Sequence, residues 1–121
     1  DILPTKIVNL GIKFSVMASD DVNKFEVLNR CYFELSGYLT RTAPDIGENF
    51  NITILYKILN TVPGVADTLN VEIELKEGGL YSSTKFDLLS RTSADGRNIM
   101  IPDDTIWEVK YYEDDMKGTV K

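Results

Sequence analysis

Apolar positions along this chain repeat first every second residue, then every third or fourth, then every second again. Val8, Leu10, Ile12, Phe14, Val16 and Ala18 alternate with Asn9, Gly11, Lys13 and Ser15. Successive strand side chains point to opposite faces, so this run predicts a strand with one buried face. Gly11, on the polar side, marks a bulge or a close contact. Ser19, Asp20 and Asp21 form a helix start signal, with Ser19 or Asp20 as cap and the acids at the positive end of the helix dipole. Val22, Phe25, Leu28, Tyr32, Leu35 and Leu39 then recur at helical spacing and predict a helix over 21–39. Gly37 weakens its last turn.

After a polar loop over 40–48, Asn51 to Glu77 carries the clearest signals. Asn51 can accept a bond from a free first-turn amide, and Phe50 and Leu55 sit at hydrophobic-staple spacing. Ile52, Leu55, Tyr56, Leu59 and Val62 share one helical face. Pro63 and Gly64 end that helix near Thr61. From Val65 the period becomes two. Val65, Leu69, Val71, Ile73 and Leu75 point one way, and Asn70, Glu72, Glu74 and Lys76 the other.

The last third is less periodic. Gly78 and Gly79 close the second strand, and Ser93 to Arg97 contains an Asp-Gly turn. Ile99 to Ile101 and Trp107 to Tyr112 read as two strands joined by Pro102, Asp103, Asp104 and Thr105, a hairpin. The segment from Glu113 reads as a tail. These elements predict an α+β fold, a two-layer sandwich with two helices on one face of a mixed β-sheet. The order is strand, helix, helix, strand, then an irregular segment and the hairpin. The crossover is long enough for the first two strands to pair in parallel, right-handed if so.

Composition narrows the function. At 121 residues the chain suits one domain, 1–121. It opens on Asp1 rather than Met, which fits an excised part of a longer protein. The net charge of −6, with no basic run, disfavours nucleic acid. No apolar run approaches the ~20 residues of a membrane-spanning helix, and no leader pattern opens the chain. Cys31 is alone, so a disulfide framework is excluded; beside the apolar stripe it reads as a buried, inert thiol. The chain has no His, so a Cys-His pair cannot form within it. The acid pairs Asp20-Asp21, Asp103-Asp104 and Asp114-Asp115 sit at element boundaries, where Asp serves caps and turns more often than metal or acid-base chemistry. No P-loop or zinc spacing occurs. Catalytic, cofactor and metal residues are therefore expected to be none, and the chain is read as non-enzymatic. Tyr81, Trp107, Tyr111 and Tyr112 concentrate aromatic surface and are the interface candidates, since Tyr and Trp bury much area while keeping a polar tip. A ligand- or carbohydrate-binding module remains the alternative, with Tyr81, Trp107 and Tyr112 lining a groove.

The order of short motifs adds a resemblance. Ile58 to Thr68 (ILNTVPGVADT) precedes the Val71, Ile73, Leu75 strand. Gly79 to Ser82, Ser93 to Arg97, Ile101-Pro102, Trp107 to Tyr111 and Asp115 to Gly118 then follow in order. This succession resembles the C-terminal region of phage baseplate wedge proteins of the T-even type, in the baseplate J-like family. Pro63 and Met116 depart from that family's pattern. The resemblance implies a structural virion protein of the contractile tail baseplate, assembled in the host cytoplasm. It would be a homo-oligomer whose partners are other wedge subunits, without cofactor, nucleic acid or membrane.

Overall fold

The computed structural model describes residues 5–42 and 44–121. In chain order the elements begin with β1 (Lys6–Ala18), α1 (Lys24–Arg41), β2 (Phe50–Asn51), α2 (Ile52–Asn60) and β3 (Val65–Lys76). They continue with α3 (Leu88–Arg91), β4 (Asn98–Ile99), β5 (Thr105–Glu108), α4 (Tyr112–Asp115) and β6 (Met116–Val120). The architecture is α+β, with helices packed against a mixed sheet.

β1 is the sheet's axis because its alternation lets one face enter the core along its length. Val8, Leu10, Ile12, Phe14 and Val16 are all buried, and they meet Val27, Cys31 and Leu35 of α1 and Leu55 and Leu59 of α2 in one interior. Burying each such aliphatic side chain contributes about 1.5–3 kcal/mol relative to leaving it in water. β3 pairs with one edge of β1, antiparallel from Asn9↔Lys76 to Ala18↔Val65. The other edge is shared by two short parallel partners, β5 against Lys6–Asn9 and β6 against Ile12–Val16.

Local chemistry explains the central helix and its turn. Asn51 caps α2 by accepting from the Thr53 amide at 2.9 Å. The helix stops at the Thr61 cap, and Gly64 turns the chain at φ +93°. β3 then folds back along α2. The Ser19 amide donates to the Gly64 carbonyl at 2.8 Å and ties the end of β1 to the start of β3. That reversal makes the pair antiparallel, and the parallel crossover that the segment length permits is not used.

Other expectations are corrected as well. Asn23, not Ser19 or Asp20, caps α1 by accepting from Phe25 and Glu26, while Asp21 turns the chain at φ +62°. Of the expected α1 stripe, Leu35 and Leu39 are buried and Val22, Leu28 and Tyr32 half-buried against the core, but Val27 and Cys31 hold its centre and Phe25 is 78% exposed. Smaller side chains on this stripe let the neighbouring backbone approach; a Cβ at Gly64 would lie 2.7 Å from Val27 Cγ2. The phase of β3 breaks between Asn70 and Thr68, where the register shifts. The bulge turns Leu69 outward and Thr68 inward, where Thr68 Oγ1 donates to Asn60 Oδ1 at 2.7 Å. No hairpin joins the segments around Ile99 and Trp107. β4 pairs with β2 and β5 with β1. The last strand ends at Glu108 rather than Tyr112, and the expected tail supplies a helical turn over 112–115, begun by Tyr112, and then β6.

Candidate functional site: the outer sheet face and the β3 edge

The four aromatic candidates do not gather in one place. Trp107 is 5% exposed, and its ring meets Phe50 edge-on at 4.7 Å between centroids. It is a core residue, because the alternation of β5 sends Thr105 and Trp107 inward. Tyr112 is half-buried against the core and shares a cleft of about 190 Å³ with Trp107. Ligand pockets run from roughly 300 Å³ upward, and this cleft falls below that range. Tyr81 lies elsewhere, paired edge-on with Tyr111 at 5.7 Å. The groove that a carbohydrate module would need from Tyr81, Trp107 and Tyr112 is therefore not formed.

Tyr81 and Tyr111 belong to a polar cover over the outward side of β1. Buried Asn9 is its anchor. Its Nδ2 donates to Glu108 Oε1 at 2.9 Å, and its Oδ1 accepts from the Ser82 amide at 2.7 Å. Tyr81 Oη donates to Asp115 Oδ1 at 2.6 Å, and Asp115 Oδ2 accepts from the Tyr111 amide at 3.1 Å. Lys110 Nζ donates to the Leu80 carbonyl and lies 5.4 Å from the Tyr111 ring centre. Gly11 sits beneath this cover as a close contact rather than a bulge. A Cβ there would come 3.2 Å from the Asp115 carbonyl and 2.6 Å from Lys76 Cε. The bond to Asp115 holds the proton on Tyr81 and, helped by burial and nearby acids, pushes its hydroxyl up to about 12. Asp115 is thus committed to holding the segment over 78–84 against the sheet. A polar cover of this kind is legible only once the fold brings Asn9, Ser82 and Asp115 together.

In the Asp103-Asp104 pair, Asp104 has local employment. Asp104 accepts from Thr105 Oγ1 at 3.0 Å and faces Lys6 at 3.4 Å, and these contacts hold its carboxyl below the usual range. Among the described residues no group of three or more His, Cys, Asp or Glu could hold a metal ion. Cys31 is fully buried, and burial pushes its thiol up to about 11. No helix among the described residues is long and apolar enough to cross a membrane.

Among the described residues no strand pairs with the outer edge of β3. In an antiparallel ladder, opposite residues alternate between exchanging both backbone bonds and turning both groups away. Val71 turns away from β1, because its amide donates to Tyr56 Oη at 3.0 Å. On the far edge, Lys6 donates to the Asp104 carbonyl and Val16 accepts from Lys121, so the even-numbered residues of β1 face β5 and β6. Ile12↔Ile73 and Leu10↔Leu75 share the phase of Phe14↔Val71. The N–H and C=O of Ile73 and Leu75 therefore point out of the sheet. Beside them an open groove of about 410 Å³ runs between Ile73 and Leu88, Leu89 and Ile99, with Leu89 87% exposed. Sequence reasoning read the faces of β3 and missed its edge, since strand order is not a local property. Glu74, on the outward face, is held below the usual carboxylate range by its bond to Lys13 at 2.9 Å, with Lys76 3.5 Å away. No family model and no curated protein sequence matches this chain.

Proposed function

We propose that this chain is a structural component of a contractile phage tail baseplate, a wedge protein that works by burying protein–protein surface. The observation that carries the assembly reading is the unpaired edge at Ile73 and Leu75, beside the apolar groove of Leu88 and Leu89. A sheet edge with open amides and carbonyls is a template for another chain. Exposed Phe25, Phe33 and Leu80 add apolar contact surface elsewhere. The assignment to the baseplate is supported by the order of motifs from Ile58 to Gly118. In this reading the partners are other wedge subunits and further copies of the chain, and the place of action is the virion tail. The acids and tyrosines of the outer face serve as internal fasteners, which suits a rigid scaffold. Immunogold electron microscopy with an antibody to this chain tests the assignment on purified phage tails. Label at the baseplate end is expected; label confined to the sheath or the capsid, or none, overturns it.

A further inference from the structure

We infer that β3 pairs edge to edge with β3 of a second copy, antiparallel about a two-fold axis at Glu74. The inference rests on the assembly reading and names its partner. The register follows from what is open. Val71 cannot join a new ladder, because Tyr56 already takes its amide. β3 ends at Lys76, and Gly78 and Gly79 then turn the chain at φ +84° and +56°. Only Ile73 and Leu75 present outward backbone groups between these limits. An axis at Ile73 would set blocked Val71 against Leu75. An axis at Leu75 would set Ile73 against Glu77, beyond the strand. The axis at Glu74 sets Ile73 against Leu75 twice, and each pair exchanges two bonds, giving about four in all.

Charge agrees with that register. It places Glu72 opposite Lys76 of the second copy, again twice. Charged side chains at an edge ordinarily keep other strands away; here the two-fold turns them into cross-strand pairs. Glu74 meets its own copy at the axis, but Lys13, at 2.9 Å, already neutralises it. Leu75 of the second copy lies across from Ile73, at the mouth of the groove lined by Leu88 and Leu89. Half-buried Ile73 and Leu75 are thereby covered, and the two sheets join into one.

Sedimentation equilibrium from micromolar to millimolar chain tests the pairing. The native chain is expected to dimerise reversibly. Lys76→Glu sets like charges opposite each other and should weaken the dimer about tenfold, and Glu72→Lys should do the same against Lys76. The double variant Glu72→Lys/Lys76→Glu should restore it. Circular dichroism confirms that each variant is folded; Glu72→Lys reads the same repulsion should Lys76→Glu not fold. A strict monomer at millimolar concentration overturns the inference, as does a dimer whose Kd moves less than about twofold in both single variants. The baseplate assignment fails separately: label absent from tails sinks that reading while leaving a charge-swappable dimer intact.

Discussion

Gly118→Ala should loosen the attachment of β6 to β1. Phe14 stands directly opposite Gly118 in the parallel ladder, and its ring lies across the glycine. A Cβ at position 118 would come 2.1 Å from Phe14 Cζ, 2.3 Å from Cε2 and 2.8 Å from Cε1. Ordinary contact begins near 3.4 Å, so the ring must retreat by about 1.3 Å. It has little room, because Tyr32 packs against it edge-on at 5.6 Å and donors fix Tyr32 in turn: the Gly118 amide bonds Tyr32 Oη at 2.9 Å. Overpacking of this kind costs about 1–3 kcal/mol. For a chain of this size each kcal/mol moves the thermal midpoint by roughly 3–6 °C. Urea titration followed by tryptophan fluorescence reads the loss, since Trp107 lies in the same core. Phe14→Leu should cost stability alone but recover part of the Gly118→Ala loss in the double variant, because the smaller side chain vacates the clash. An unchanged midpoint in Gly118→Ala, or strictly additive losses, would refute the packing argument. Gly11→Ala is the contrast: its closest obstacle is the flexible end of Lys76, so its loss should be smaller.

Three further outcomes follow from the same contacts. Cys31, with its thiol pushed up to about 11 by burial, should stay silent to an aromatic disulfide reagent at neutral pH and react on unfolding; prompt reaction in the native state would place it outside the core. In an alkaline absorbance titration one phenol should ionise late, near 12, and Tyr81→Phe should remove that late step. Because the folded value lies above the ordinary 10.0, the stability this proton holds is fully present below pH 10 and is lost as pH rises through about 12. Asn9→Ala removes the acceptor for Ser82 and the donor to Glu108, and should cost about 1–3 kcal/mol while opening residues 78–84 to protease. Unchanged cleavage there would show that the cover does not hang on Asn9.

How legible the fold is depends on whether its cause is local. The Asn51 cap, the Gly64 turn and the alternation of β1 are written in adjacent residues and are found where the sequence places them. The centre of the buried stripe of α1 is less plain, because stripes one residue apart both satisfy helical spacing and only tertiary packing, Val27 against Gly64 and Cys31 in the shared core, chooses between them. The bulge at Leu69 carries no signal in its own run; the Thr68–Asn60 bond and pairing to β1 decide it. Strand partners lie further still from local reading. β5 and β6 reach β1 rather than a neighbour in sequence, so the expected hairpin dissolves and the supposed tail becomes sheet. The interface candidates divide for the same reason. Trp107 enters the core, while the open backbone of Ile73 and Leu75 becomes visible only after strand order is known.

Residue-resolved amide exchange along β3, at dilute and at millimolar chain, tests most directly whether this edge is the working surface. The amides of Glu72, Glu74 and Lys76, which face β1, should exchange slowly at both concentrations. Those of Ile73 and Leu75 should exchange fast when dilute and become protected as copies pair. Fast exchange of Ile73 and Leu75 at both concentrations, or slow exchange of all five when dilute, would contradict the account.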